Sequence, residues 1–265
     1  MFRLPALIAL LFVACLARAA GPACPATPVS VGLYEFGVQF HDGKGIDRDV
    51  IEELGRRSGC KLDIRVMPRA QIWQDLASGA LMISVSALYT PERARVVLYS
   101  PAYTQTKNVV ILPRQIGQQV SGPAAFIANP AWRWGVVRSY RHGDEQDALI
   151  ATLRAQGRVD EAQNIEELFA WLASGKIQGL FAQPVAYALY LNEQPVPGDF
   201  VARDWMPADR GVTGHLVFSR KHFNEREVAD WSLLLMQIRH DGTLEQIYRR
   251  YLPQAEARRL LPRGD

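Results

Sequence analysis

The stretch Leu81–Tyr103, LMISVSALYTPERARVVLYSPAY, decides how this chain is expected to fold. It begins with an apolar run, Leu81–Val85, of the kind that a buried strand needs. Thr90–Arg93 (TPER) follows, and it combines a favoured N-cap residue, a proline suited to the first helical position and a glutamate suited to the positive end of a helix dipole. The segment therefore predicts a strand, a turn and a new helix. The free N–H groups at that helix start, together with Arg93, predict a site for a carboxylate or another anion. A capped helix with a surface arginine is the alternative.

Composition limits the possible classes of protein. The chain has 265 residues, of which 48% are hydrophobic and 22% charged, and this allows one large domain or two modest ones. The formal net charge is only +3, and no Lys/Arg-rich run is interleaved with aromatic residues. A nucleic-acid partner is therefore not expected.

The N-terminus has the pattern of a secretory signal. Arg3 precedes the apolar run Leu4–Leu16, and Ala17-Arg18-Ala19 supplies a small-x-small cleavage site. We predict that residues 1–19 are removed and that the mature protein is periplasmic. Lipoprotein processing at Cys15 is the alternative. No other segment is long and apolar enough to span a bilayer.

Export also predicts the state of the cysteines. Cys24 and Cys60 remain after the signal is removed, and two cysteines in an oxidising compartment favour a disulfide. They lie just before the first and the second predicted strand, so a bridge between neighbouring strand starts is short enough to close.

Motifs for catalysis are missing from the sequence. The five histidines have no metal-ligand spacing, so neither a metal site nor a cofactor is expected. No nucleophile elbow, P-loop or dinucleotide-binding glycine motif is present. The pattern favours binding over catalysis.

Two series of strands and helices follow the signal, and they predict an α/β fold. The tetrapeptide Leu-Ala-Ser-Gly ends a predicted helix at Leu76–Gly79 and again at Leu172–Gly175, each time ahead of a short strand. Counting on from these glycines, Ser86 and Gln183 fall at the carboxyl ends of the two strands, where α/β sheets bind ligands. The order predicts two similar halves followed by a helical tail.

Several motifs together resemble extracytoplasmic solute-binding proteins of family 3, the polar amino-acid-binding branch of the type II periplasmic binding proteins. They span nearly the whole mature chain: Gly45-Ile46-Asp47, Trp73-x-x-Leu76-x-x-Gly79, Thr90-Pro91-Glu92-Arg93, Ser100-Pro101-Ala102-Tyr103 and Asp241-Gly242-Thr243-Leu244. The resemblance implies a two-lobe fold, each lobe a small, mostly parallel sheet flanked by helices, with a two-strand hinge between them. Lobe 1 would comprise residues 27–107 and 212–256, and lobe 2 residues 108–211.

The same resemblance implies a function. A small carboxylate-bearing solute, an amino acid or a related organic acid, would be captured by lobe closure and delivered as a transport substrate to an ABC permease, with the receptor acting as a monomer. Two alternatives stay open. One is an enzyme of the arogenate/prephenate dehydratase type on the same fold, and the other is a sensory module.

Candidate ligand contacts also come from the resemblance. Arg93 would clamp the ligand carboxylate, with Thr90 at the start of its turn. The further candidate contacts are Glu35, Arg69, Ser86, Tyr140 and Gln183. Trp73 is expected to pack in the core between helix and sheet.

Four sites depart from the family pattern. Leu81-Met82 stand where family members usually have an aspartate after the helix-ending glycine, and Ser139-Tyr140 stand where they usually have Gly-Thr at the helix start of lobe 2. Leu88 replaces the hydroxyl residue that usually assists the arginine, and Gln183 replaces the acidic residue that holds an α-ammonium group. We therefore expect an anionic ligand that need not be a free α-amino acid.

Overall fold

A computed structural model describes residues 21–188 and 199–262 of the chain. The predicted signal therefore lies outside the described residues. These described residues form ten strands and ten α-helices: β1 Val29–Leu33, α1 Ile46–Ser58, β2 Leu62–Val66, α2 Arg69–Ser78, β3 Ile83–Ala87, β4 Val97–Thr106, β5 Val109–Pro113, α3 Arg114–Gln119, α4 Pro123–Ala128, β6 Trp134–Val137, α5 Asp144–Ala155, β7 Val159–Ala162, α6 Ile165–Ala173, β8 Gly179–Ala182, α7 Pro184–Ala188, β9 Phe200–Arg203, β10 Val212–Ser219, α8 Glu225–His240, α9 Thr243–Tyr248 and α10 Gln254–Leu260. No helix in this part of the chain combines the length and the apolar character needed to cross a membrane.

The strands form two five-stranded sheets with the same topology. The first has the order β2-β1-β3-β10-β4 and the second the order β7-β6-β8-β5-β9. In each sheet one antiparallel strand, β10 or β5, interrupts strands that otherwise run in the same direction. The predicted two-lobe α/β fold is confirmed, and we call the parts built on the two sheets lobe 1 and lobe 2.

The internal repeat is explained by this topology. Gly79 and Gly175, which end the two copies of Leu-Ala-Ser-Gly, both adopt positive φ angles, of 88° and 78°. Each terminates the helix that leads into the central parallel strand of its sheet, β3 or β8. A left-handed residue that ends a helix is best supplied by glycine, so the two halves share the same stop signal.

The chain passes twice between the sheets. β4 of the first sheet leads through Lys107 and Asn108 into β5 of the second, and residues 204–211 lead from β9 back to β10. Lys107 Nζ lies 2.7 Å from Asp204 Oδ2, so an ion pair joins the two crossing segments. Both connections are short, which keeps the two sheets close to one another.

The tail helices pack against lobe 1. Asn224 and Glu227 form a capping box at the start of α8, and Asp241 and Gly242 separate α8 from α9. Trp231 and Tyr248 are fully buried in the core, and the Tyr248 hydroxyl donates to the Tyr103 carbonyl. A second apolar cluster around Trp134 forms the core of lobe 2.

One local prediction is wrong. The expected helix after Thr90 is a single 3-10 turn, Arg93–Arg95, because the β-branched and aromatic residues that follow pair with β10 as strand β4. An anion site built on a helix dipole is therefore not formed there. Asp47 lies in the first turn of α1, whose N-cap is Gly45, and its carboxylate is buried in the core. A disulfide between Cys24 and Cys60 attaches the described N-terminal segment to the connection between α1 and β2.

Candidate functional site

Two buried arginines face the space between the lobes. Arg69 begins α2, directly after β2, and Arg93 lies in the turn after β3, so both come from the carboxyl edge of the first sheet. Arg69 is only 3% exposed and Arg93 only 8%. Both guanidinium groups lie over aromatic rings, with Arg93 Cζ 4.1 Å from the centroid of the Trp73 ring and Arg69 Cζ 4.2 Å from that of Tyr34. Cation–π contacts thus hold both cations.

The hydrogen bonds of these arginines go to main-chain oxygens. Arg93 donates from Nη1 to Leu88 O at 3.3 Å and from Nη2 to Ser139 O at 2.6 Å, and the second bond crosses from lobe 1 to lobe 2. Arg69 donates from its two Nη atoms to the carbonyls of Val85 and Ser86.

Neither arginine is neutralised by an acidic side chain. Among the described residues, neither guanidinium group has a carboxylate oxygen within 4.0 Å, and the buried Arg69 Nε has no hydrogen-bond partner. The two side chains also repel each other. Burial, and next the Arg69 charge, lower the pKa of Arg93 from its usual value to about 9. The site therefore concentrates positive charge that an added anion would offset.

A buried carboxyl group lies beneath the arginines. The hydroxyls of Tyr103 and Ser86 donate to Asp47 Oδ1 at 2.6 Å and 2.9 Å, and Asp47 Oδ2 has no hydrogen-bond partner. Asp47 is fully buried, and this burial raises its pKa to about 6 against the opposing effect of its hydrogen bonds and of Arg69. Asp47 fixes the Ser86 hydroxyl and is not among the residues that line the cavity described next.

The lobes close tightly over the arginines. A cavity of only about 20 Å³ remains between them. On the lobe 2 side it is bordered by Tyr140, Arg141 and Gln183, and the Tyr140 ring packs 5.4 Å from that of Phe36 in lobe 1. Ser86 in lobe 1 and Ser139 in lobe 2, which accept the arginine hydrogen bonds, both have positive φ angles, of 46° and 63°. Such backbone conformations are costly for residues other than glycine and often occur at binding sites.

The structure brings five of the seven predicted ligand contacts together around this cavity. They are Arg69, Ser86, Arg93, Tyr140 and Gln183. Thr90 does not border the cavity, but its side-chain oxygen accepts a hydrogen bond from the Arg93 N–H and so holds the turn. Glu35 lies on a different part of the cleft, where it contacts His41.

Several residues of the site were not predicted. Tyr34 follows β1 at the carboxyl edge of the sheet, a position that the general rule for α/β sheets could have identified. Trp73 packs against the core as expected, but its ring also supports the Arg93 guanidinium, so the expectation of core packing alone is wrong. Gln39 and Arg141 carry no sequence signal of their own, and only the closure of the lobes brings them to the cavity.

The comparisons with known proteins agree with this architecture. The model of the bacterial extracellular solute-binding proteins, family 3, matches residues 33–254. No curated protein matches the sequence. Among solved structures, an ancestral arginine-binding protein bound to arginine is similar with a TM-score of 0.71 and 18% identity, over 85% of this chain and 98% of that one.

Two further structures have other roles on the same fold. A histidine kinase sensor domain with similarity to periplasmic binding proteins has a TM-score of 0.71 and 14% identity, over 89% of this chain and 98% of that one. The ancestral amino acid-binding protein AncCDT-1, a precursor of cyclohexadienyl dehydratase, has a TM-score of 0.67 and 19% identity, over 85% and 96%. At these identities the structures show the fold alone. The family match covers most of the sequence, and the chain belongs to the bacterial extracellular solute-binding proteins, family 3.

Proposed function

We propose that the mature protein is a periplasmic receptor that captures a small carboxylate-bearing solute between its lobes and delivers it to an ABC permease. The observation that carries this proposal is the pair of buried arginines without an acidic partner. A buried charge is costly unless it is paired, and a carboxylate is the anion whose geometry suits a guanidinium group. An incoming carboxylate would offset the repulsion that lowers the pKa of Arg93.

Binding of the solute requires the lobes to separate first. A cavity of about 20 Å³ has room for about one water molecule and not for an organic acid. In the closed form the Ser139 carbonyl takes the Arg93 Nη2 donor that a ligand carboxylate would use. We infer that the solute carboxylate replaces this carbonyl, and that its contacts with both lobes then stabilise a closed form around it.

The charge of the cavity favours an acid without an ammonium group. Arg69, Arg93 and Arg141 all border it, and among the described residues no carboxylate side chain does. Gln183 stands where a family member would place an acidic residue for the α-ammonium group, and an amide cannot pair with a cation as a carboxylate does. The cationic side chain of arginine, the ligand in one of the similar structures, would meet the same repulsion. We therefore propose an organic acid, and not a basic amino acid, as the solute.

The test is a binding screen on the protein without residues 1–19. Dicarboxylates, aromatic carboxylates, glutamate and arginine are compared by thermal shift, and the best hit is titrated by calorimetry. Arg93→Ala is expected to lower the affinity by at least about 30-fold, because it removes one partner of a buried charge pair.

The matched control is Arg95→Ala, which removes an exposed arginine from the same turn and should leave the affinity unchanged. Binding that persists unchanged in Arg93→Ala would contradict the proposal. Conversion of a hit into a product would indicate a dehydratase-like enzyme instead of a receptor. Glu35, the carboxylate that such an enzyme could use for proton transfer, does not border the cavity.

A further inference from the structure

A second cluster of ligand-type side chains joins the lobes beside the arginine cavity. Glu35 follows β1 and His41 lies in the loop after it, both in lobe 1, whereas Glu166 lies in the first turn of α6 in lobe 2. His41 Nδ1 is 3.0 Å from Glu35 Oε2 and 3.6 Å from Glu166 Oε1. One ligand atom from each of the three residues lies within 4.8 Å of the other two.

We propose that Glu35, His41 and Glu166 bind a divalent metal ion of the Zn²⁺ type across the closed cleft. Imidazole nitrogen and carboxylate oxygen are both ligand types that Zn²⁺ takes in proteins, and three protein ligands leave a fourth tetrahedral position open for water. Bonds of 2.0–2.2 Å in a tetrahedral site place the ligand atoms about 3.3–3.6 Å apart. The two distances from His41 Nδ1 lie close to that spacing, so small side-chain adjustments complete the geometry.

Charge supports a cation at this position. With a neutral imidazole the cluster carries two negative charges, and a divalent ion compensates both. Two carboxylates that approach the same imidazole from opposite lobes repel each other unless a proton or a cation lies between them. This repulsion opposes closure of the lobes, and a bound metal ion would convert it into an attraction.

The surrounding structure is preformed and accessible. The loop that carries His41 is closed by main-chain hydrogen bonds between His41 and Lys44, of 2.7 Å and 3.0 Å. Asn164 caps α6 and so fixes the turn that presents Glu166. The three side chains are 28–33% exposed, so solvent reaches the cluster, and Glu35 also borders a separate cavity of about 230 Å³.

The arrangement couples metal binding to lobe closure. Two ligands belong to lobe 1 and the third to lobe 2, so all three act together only when the lobes are closed. An ion that binds the closed form more tightly than the open form shifts the equilibrium toward closure. At the side of the solute cavity, the cluster thus stabilises the closed form of the lobes when a metal ion is bound.

The test uses the tag-free mature protein, Zn²⁺ and no organic solute. Saturable zinc binding is measured by competition with a chromophoric chelator, and thermal stability is measured with and without zinc. His41→Ala and Glu166→Gln should each lower the zinc affinity by at least about tenfold, since each removes a ligand. Zinc should raise the melting temperature of the wild type and raise that of Glu166→Gln much less.

The matched controls are His240→Ala and Glu145→Gln, which change exposed residues of the same types, the second one also in the first turn of a lobe 2 helix. They should bind zinc like the wild type. Equal zinc affinity in the wild type, His41→Ala and Glu166→Gln, or no saturable binding in any of them, would overturn the proposal. Because no solute is present, this result is independent of the carboxylate-receptor test. Glu166→Gln is isosteric, so a loss of zinc binding in this variant would not be due to misfolding.

Discussion

Arg93 and Ser139 connect the two lobes directly: the guanidinium Nη2 of Arg93 donates a 2.6 Å hydrogen bond to the main-chain oxygen of Ser139. Arg93 is also held by the Leu88 carbonyl and by the Trp73 ring. A single side chain therefore links the carboxyl edge of the first sheet to the turn that follows β6 in the second. The same donor serves both the ligand-free closed form and the proposed carboxylate complex.

Arg93→Lys should impair solute binding despite conserving the charge. An ammonium group is a point charge that cannot donate the paired hydrogen bonds of a guanidinium group. The loss of one hydrogen bond to a charged group, about 1.5–3 kcal/mol, corresponds to roughly a 10- to 150-fold drop in affinity. Calorimetric titration of the best hit from the screen measures the drop. An affinity equal to that of the wild type would exclude bidentate binding at Arg93.

Trp73→Leu should weaken solute binding without removing a direct ligand contact. The Trp73 ring lies 4.1 Å from Arg93 Cζ and 5.4 Å from Arg69 Cζ, so it positions both cations. Loss of a partly desolvated cation–π contact, worth about 1–2 kcal/mol, predicts roughly a tenfold lower affinity. Trp73→Phe keeps an aromatic face, and Trp73 Nε1 has no hydrogen-bond partner to lose, so this variant should bind nearly as well as the wild type. Equal losses in Leu and Phe variants would argue for a packing effect alone.

Gly37→Ala should oppose closure of the lobes. Gly37 has a φ of +55°, and a Cβ atom there would lie 2.3 Å from Val185 O and 2.5 Å from Ala186 Cα, both on α7 of lobe 2. The next residue, Val38, donates its N–H to the same Val185 oxygen at 2.9 Å, so the loop after β1 and α7 are already in close contact at this point. We expect a reduced affinity for the solute and, in small-angle scattering, a larger radius of gyration.

Gly43→Ala is the matched control for this substitution. Gly43 lies in the same loop with a φ of +76°, but its nearest neighbour would be Arg48 Nη1 at 3.9 Å. Both alanines carry a similar backbone strain of about 1–2 kcal/mol. Only Gly37→Ala should change the scattering profile, and an identical profile for both variants would contradict the role assigned to Gly37.

Asp47→Asn should change the pH dependence of stability. Burial raises the folded-state pKa of Asp47 from 3.8 to about 6, so the carboxyl group binds its proton more tightly in the folded protein than in the unfolded chain. Its contribution to stability is then greatest in acid and is lost as the pH rises through about 6. Between pH 7.5 and pH 4.5 the wild type should gain about 2 kcal/mol of unfolding free energy relative to Asp47→Asn.

Urea titrations at the two pH values measure this difference. Asp144→Asn, at an exposed aspartate in the first turn of α5, is the control and should show no such change relative to the wild type. A wild type that does not gain stability relative to Asp47→Asn on acidification would contradict the assignment of a raised pKa to Asp47.

The sequence by itself determined the α/β class and the division of the chain into two similar halves. Local signals suffice where neighbouring residues fix the conformation: Asn164 caps α6, Gly79 and Gly175 end equivalent helices, and Trp134–Val137 is a strand. The recurrence of these signals predicted the repeat, and the resemblance of the motifs to a known family implied the two-lobe architecture. The sequence motif identified Arg93 as a candidate ligand contact, although the helix predicted at that motif is not formed.

Only the tertiary structure decided what surrounds Arg93. The residues after Thr90 form a strand because β10, more than 100 residues later, offers hydrogen bonds that outweigh the local helix signals. The contacts of Arg93 with Ser139, of Gly37 with Val185 and of His41 with Glu166 all cross between lobes. No pattern within one segment encodes such contacts, because they arise only when two separately folded sheets are brought together by the crossing chains.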